Sequence, residues 1–224
     1  MNEAELTGQA RTHIAAVEDP PCLLHVQAVA PYLNLRRAAQ ADGIDLRPVS
    51  SFRDFARQLT IWNGKFSGER PMYDASGAKL NAAALTPGER VEAILLWSAL
   101  PGASRHHWGT DVDLIDGHAD AAGCKDKLTR EAFAPGGPFA PLDRWLTNHA
   151  ARFGFFRPFQ GVRSGVQPEP WHVSFAPIAE KARRRLSPEV LRAAIAAAPL
   201  LGKEAVLERL DELHGRYVRA IDLP

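Results

Sequence analysis

Three separated segments of the sequence carry side chains that could together hydrolyse an amide bond. They are residues 50–58 (SSFRDFARQ), 104–113 (SRHHWGTDVD) and 169–172 (EPWH). The second and third segments contain His106, Asp113 and His172, which offer two imidazoles and one carboxylate. This ligand set suits a catalytic zinc ion, whose fourth coordination position is left to water.

Two charged residues in the same segments could supply the rest of the chemistry. Glu169, three residues before His172, could accept a proton from an attacking water. Arg53 could stabilise a developing oxyanion or hold a substrate carboxylate. Each residue alone also has a structural interpretation, such as a packed histidine for His172 or an ordinary helix face for Arg53. It is the combination that favours a catalytic site.

The motifs SxHxxGxxxD and ExWH, preceded by SxxRxxxxQ, resemble those of the zinc D-alanyl-D-alanine carboxypeptidases and dipeptidases of the VanY and VanX types. The resemblance covers residues 50–175, approximately. The matching positions are Ser50, Arg53, Gln58, Ser104, His106, Gly109, Asp113, Glu169, Trp171 and His172. That group shares its fold with hedgehog signalling domains, so the resemblance implies a hedgehog/DD-peptidase-like fold.

The resemblance also implies a role for each matching side chain. The implied zinc ligands are His106, Asp113 and His172. Glu169 would be the general acid/base, and Arg53 would stabilise the tetrahedral intermediate or anchor the substrate. The residues implied to contact the substrate are Gln58, Ser104 and Trp171.

One position departs from the family pattern. The family commonly has Ala two residues before the ligand aspartate, and this chain has Asp111. A carboxylate there could orient His106 or His107 from behind the metal. It could instead repel the C-terminal carboxylate of a substrate. This departure weakens the interpretation as a VanX-like dipeptidase more than it weakens the prediction of a zinc site.

The order of predicted elements indicates an α+β fold, with a small antiparallel sheet carrying the zinc site and helices around it. Helices are expected at 1–18, 23–42, 52–66, 86–100, 142–153, 187–199 and 203–214, and strands at 44–47, 110–115, 155–159 and 171–175. Residues 64–86 and 116–140 are expected to be loops. We expect one domain over 1–224, with its motif core at about 50–175 and C-terminal helices within 187–218.

Composition excludes several classes of protein. The 224 residues are 46% apolar and 24% charged, unlike a disordered or fibrous chain. A formal net charge of +1 gives no general attraction to nucleic acid. No apolar run approaches the roughly 20 residues of a membrane span. The N-terminus lacks a signal-peptide pattern, so a cytoplasmic location is expected as the sequence is written, or a periplasmic or exported one if a leader is missing.

We therefore expect a zinc metallopeptidase that cleaves short peptidoglycan-type peptides, with D-alanyl-D-alanine carboxypeptidase as the leading activity. The alternatives are an L,D-carboxypeptidase, a stem-peptide endopeptidase, and a non-catalytic hedgehog-like zinc-binding module. Glu169 and Arg53 argue against the last, because a structural zinc ion needs neither. The oligomeric state, the physiological metal and the state of Cys22 and Cys124 stay open at this stage.

Overall fold

A four-stranded antiparallel sheet lies at the centre of the computed structural model, which describes residues 1–124, 127–161 and 165–224. The strands of this part of the chain are β1 (Ile14–Val17), β2 (Cys22–His25), β3 (Leu46–Ser50), β4 (Met72–Tyr73), β5 (Lys79–Leu80), β6 (Asp111–Asp116), β7 (Phe155–Phe156) and β8 (His172–Phe175). The central sheet has the order β3-β6-β8-β7, and the pairs β1-β2 and β4-β5 form separate hairpins.

Helices pack around this sheet. They are α1 (Glu3–Leu6), α2 (Val29–Ala41), α3 (Phe55–Ser67), α4 (Pro87–Leu95), α5 (Gly117–Ala121), α6 (Arg130–Phe133), α7 (Ala140–His149), α8 (Ala176–Arg185), α9 (Pro188–Ala197), α10 (Lys203–Glu208) and α11 (Leu210–Leu213), followed by a π-helical turn at His214–Arg219. Within the described ranges, no helix combines the length and apolar character needed to cross a bilayer.

Two hydrophobic clusters hold these elements together. One joins Leu35 of α2 and Trp145 of α7 to Val112 and Leu114 of β6. The other is formed by α3, α4, α8 and the C-terminal helices around the fully buried Trp62. Every residue of β6 is buried, as expected for an interior strand with helices on its faces.

The register of the central sheet brings the three sequence motifs together. Ser50 at the end of β3 pairs with Asp113 of β6, and Asp113 pairs with His172 of β8. Because successive residues in a strand point to opposite faces, Asp111 and Asp113 share one face of β6. Asp111 in turn lies opposite Ser174 of β8.

The predicted fold class is confirmed, and the four expected strands overlap β3, β6, β7 and β8, although β3 continues to Ser50 and β7 ends at Phe156. The helix expected from residue 86 begins with the anticipated capping box, in which the Thr86 hydroxyl accepts the N–H of Glu89 and the Glu89 carboxylate accepts that of Thr86. The Ser187 hydroxyl likewise caps α9. That residues 1–224 form a single domain stays a prediction.

The helix expected over 23–42 is present as α2 from Val29, but the predictions for the residues before it are wrong. A helix was expected over 1–18 and another from residue 23, but α1 ends at Leu6 and the hairpin β1-β2 follows. The His25 N–H donates to the Gly109 carbonyl at 2.7 Å, which attaches this hairpin to the motif segment. Such long-range contacts override helix propensity, and no local sequence pattern records them.

Other segments also differ from the expected elements. The helix expected over 86–100 ends at Leu95, and α8 (Ala176–Arg185) was not expected. The insertion at 64–86 contains the hairpin β4-β5, and the region 116–140 contains the short helices α5 and α6. The last expected helix is interrupted at Arg209. Residues 125–126 of the second expected loop, and residues 162–164 of the connection between the last two expected strands, lie outside the described residues.

Candidate active site

A short 3₁₀ helix, Arg105–Trp108, carries the first histidine of the site. It ends at Gly109, whose φ of +65° is a left-handed conformation that favours glycine. A Cβ atom at Gly109 would lie 2.6 Å from the backbone nitrogen of His25. The glycine of the second motif is therefore required both by the turn and by the approach of the β1-β2 hairpin.

His106, Asp113 and His172 converge in the lining of a pocket. Each offers a ligand atom, and these atoms all lie within 4.8 Å of one another. The His106 Nε2 is 3.4 Å from one Asp113 carboxylate oxygen, and the His172 Nδ1 is 3.0 Å from the other. All three residues are buried, with exposed fractions of 6%, 5% and 2%.

The outer hydrogen bonds of the two histidines determine which nitrogen faces the cluster. The His106 Nδ1 donates to the Ser51 carbonyl at 2.8 Å, and the His172 Nε2 donates to the Asp111 carboxylate at 2.9 Å. In a neutral imidazole the other nitrogen then carries a lone pair. The lone pairs of His106 Nε2 and His172 Nδ1 thus both point toward Asp113.

This arrangement fits a bound cation. The His172 Nδ1 and the Asp113 Oδ1 are buried without a hydrogen bond from the described residues, although they are only 3.0 Å apart. Burial alone would lower the pKa of His172, but its contacts with Asp111, Asp113 and Glu169 raise it well above its usual range. Carboxylates and imidazole nitrogens gathered in this way favour a positive charge between them, of the kind that a divalent metal ion would supply.

Asp111 contacts His172, not the histidines expected from the sequence. The prediction that it orients His106 or His107 is therefore wrong: His106 bonds to a backbone carbonyl. His107 is fully buried, donates from Nδ1 to the Arg53 carbonyl at 2.5 Å, and accepts the Gly102 N–H at Nε2. Burial lowers the pKa of His107 to about 3, so this side chain is neutral and serves as a structural link.

The first motif forms a hydrogen-bonded cluster around Arg53. The Arg53 guanidinium donates to the Gln58 amide oxygen at 2.7 Å and to the Ser50 hydroxyl at 3.0 Å. Gln58 is fully buried and also donates to the Ala99 carbonyl at 2.6 Å. Both polar ends of Gln58 are thus engaged within the protein, so its place in the site is behind Arg53 and not against a substrate.

The pocket itself has a volume of about 390 Å³. Its lining includes the metal-ligand candidates together with Arg53, Ser104, Glu169 and Trp171. The Glu169 carboxylate lies 3.2 Å from the His172 Nδ1, and the Glu169 N–H donates to the Phe159 carbonyl at 2.9 Å. A carboxylate beside the candidate metal ligands and open to the pocket is suitably placed for proton transfer.

The pocket residues that were not recognised from the sequence include Phe159 and Lys65. Phe159 packs edge-on against the His172 ring, with centroids 5.0 Å apart, whereas Trp171 packs against Phe133 at 5.8 Å. Lys65 of α3 lines the pocket near Glu169. Lys65 follows Gln58 by seven residues and therefore shares its helix face, a signal that could have identified it. No local pattern marks Phe159.

A family model described as VanY, D-alanyl-D-alanine carboxypeptidase, matches residues 22–178. An uncharacterized protein from Haemophilus influenzae is 35% identical over 121 residues, which are 53% of this chain and 92% of that protein. A D-alanyl-D-alanine carboxypeptidase from Enterococcus faecalis is 29% identical over 154 residues, which are 67% of this chain but only 47% of that protein.

Solved structures show the same fold. VanYB in complex with D-alanine-D-alanine is 22% identical, with a TM-score of 0.55, and the match covers 79% of this chain and 83% of that one. A vancomycin-resistance D,D-pentapeptidase VanY in complex with Zn(II) is also 22% identical, with a TM-score of 0.53, covering 88% and 92%. Since the family model spans well over half of the sequence, the chain belongs to the VanY family of D-alanyl-D-alanine carboxypeptidases.

Proposed function

We propose that this protein is a zinc-dependent D-alanyl-D-alanine carboxypeptidase that acts on peptidoglycan-type peptides. The observation that carries the proposal is the convergence of two imidazole lone pairs and the Asp113 carboxylate in the lining of a pocket that also contains Glu169 and Arg53. Membership of the VanY family and the Zn(II) complex of a protein with the same fold support it.

The proposed ligands are His106 through Nε2, His172 through Nδ1, and Asp113. A zinc ion held by these residues would supply Lewis-acid chemistry and would lower the pKa of a water molecule toward neutral pH. Glu169 would accept a proton from the attacking water on a carboxylate oxygen and return it to the leaving amine. Arg53 would donate to the oxygen on which negative charge develops.

Arg53→Lys should lower kcat roughly 100-fold, the loss typical of removing one donor to an oxyanion. The planar guanidinium can bond Gln58 and Ser50 and still face the pocket. A lysine ammonium cannot reproduce this fixed arrangement of several N–H donors. The measurement is steady-state hydrolysis of a D-Ala-D-Ala peptide at matched zinc content. Arg57→Lys, an exposed position in the first turn of α3, is the control. Wild-type turnover in Arg53→Lys would remove Arg53 from the mechanism.

The charge and position of Lys65 favour a substrate that ends in a free carboxylate. Both Lys65 and Arg53 line the pocket, and in the described part of the chain neither has a carboxylate within ion-pair distance. Burial lowers the pKa of Lys65 to about 8, against the opposing effect of Glu169. A cation of this kind is suited to a substrate anion, so we assign Lys65 to the terminal carboxylate of the peptide.

Lys65→Met should raise KM for a D-Ala-D-Ala peptide about tenfold with little change in kcat, which corresponds to about 1.4 kcal/mol of lost binding. Because the anchor is the protonated amine, KM of the wild type should also rise as the pH increases through about 8. Lys79→Met, on the exposed hairpin, is the control. An equal loss on a C-terminally amidated peptide would contradict the assignment.

The direct test is digestion of defined muropeptides by the zinc-loaded protein, with products identified by mass spectrometry. Release of one D-Ala from the pentapeptide is the expected result. Release from the tetrapeptide would instead indicate an L,D-carboxypeptidase, and cleavage of a cross-linked dimer would indicate an endopeptidase. Absence of any product would favour a non-catalytic hedgehog-like module.

A further inference from the structure

We infer that Asp111 is a positioning residue for the metal, which holds His172 as a ligand and depends on Arg105 to do so. The inference rests on the proposed function, because it presumes a metal at the His106, Asp113 and His172 cluster. It concerns how tightly the metal is held, not which peptide is cleaved.

The Asp111 carboxylate is fixed by bonds to both of its oxygens. One oxygen accepts the His172 Nε2–H at 2.9 Å and the Arg105 Nε–H at 2.8 Å. The other accepts the hydroxyl groups of Thr110 and Ser174. The side chain has no exposed surface, and the strand register places Ser174 directly opposite it. The carboxylate therefore has one available orientation, and the His172 ring must adopt the matching one.

The positive charge of Arg105 compensates the buried carboxylate of Asp111, which lies beside that of Asp113. Its guanidinium also donates to the Ser174 hydroxyl at 2.7 Å and lies over the rings of Trp108 and Phe156, at 4.9 and 5.6 Å from their centroids. The Arg105 Nε lies 2.8 Å from an oxygen of the Asp111 carboxylate, and both side chains are buried. The negative charge of Asp111 is thus balanced within the protein.

The two histidines consequently differ as ligands. His106 is oriented by a neutral backbone carbonyl, whereas His172 is oriented by an ionised carboxylate. A carboxylate behind a histidine fixes the tautomer and the ring orientation and makes the opposite nitrogen a stronger donor. Loss of such a partner typically weakens metal binding by about 10- to 100-fold. We expect Asp111 to strengthen metal binding by orienting the His172 ring in this way.

The test is a zinc dissociation constant, measured by competition with a chromophoric chelator, alongside the melting temperature of the metal-free protein. Asp111→Asn should weaken zinc binding about 10- to 100-fold. It also leaves Arg105 buried without its carboxylate, which opposes folding. The double variant Arg105→Met/Asp111→Asn removes both charges, so it should fold. Its zinc binding should be weakened to the same extent as that of Asp111→Asn.

Asp116→Asn is the matched control, because Asp116 is a buried carboxylate at the other end of β6 that accepts the N–H groups of Asp45 and His118. It should leave zinc affinity within about twofold of wild type. Unchanged affinity in the Asp111 variants, or an equal loss in Asp116→Asn, would overturn the inference. Failure of the wild-type protein to bind zinc would instead overturn the proposed function.

Discussion

Glu169→Gln should leave the protein folded and able to bind zinc, while hydrolysis of a D-Ala-D-Ala peptide falls by a factor on the order of 10²–10⁴. Glutamine keeps the volume of the side chain but lacks the oxygen that would accept a proton. In the structure this carboxylate lines the pocket, and its backbone N–H is bonded to the Phe159 carbonyl. That backbone bond does not involve the side chain, so the loop should retain its conformation.

Metal content and turnover are both measured for Glu169→Gln and for the wild type. The control is Glu208→Gln, at an exposed position on α10. Equal turnover in Glu169→Gln and wild type would rule out Glu169 as the general base. Loss of zinc together with turnover would identify Glu169 as a ligand instead. Retained zinc with lost turnover is the result that supports the proposed chemistry.

His106→Ala should abolish stoichiometric zinc binding and reduce activity to that of the chelator-treated wild type. Lewis-acid stabilisation is worth several kcal/mol, so the loss should be on the order of 10³-fold or more. His106 Nε2 is one of only three protein donors in the proposed ligand set. The ring also bonds the Ser51 carbonyl, so a moderate decrease in melting temperature is expected as well.

Zinc content by elemental analysis and activity before and after zinc addition provide the readout. Added zinc should restore the chelator-treated wild type but not the variant. His118→Ala, which removes an exposed histidine beyond the end of β6, should bind zinc like the wild type. A zinc-replete and active His106→Ala protein would show that the metal lies elsewhere or is unnecessary.

The chemistry of the site was more predictable from the sequence than its surroundings. The spacing of His106 and Asp113 reflects a local unit, a 3₁₀ turn ending at Gly109 and running into β6, which a motif can capture. The convergence with His172 depends on strand register. The alternation of polar and apolar residues made β6 recognisable, whereas the register that pairs Asp113 with His172 is seen only in the structure.

The features that escaped prediction are those that depend on long-range contacts. Asp111 could be recognised as a departure from the family pattern, but its partner was not apparent because His172 lies 61 residues away along the chain. Lys65 shares a helix face with Gln58, but only the structure shows that Lys65 lines the pocket. The β1-β2 hairpin is likewise stabilised by the motif segment against which it packs.

The pairing of Ser50, Asp113 and His172 also bears on which changes in chain length the protein can tolerate during evolution. Deleting one residue within β6 would turn the Asp113 carboxylate to the opposite face and bring Val112 or Leu114 toward the position facing His172. The segment between α3 and α4 contributes no proposed metal ligand, and added loop length costs little free energy. Homologous chains should therefore vary in length between residues 68 and 86 while β6 keeps its number of residues.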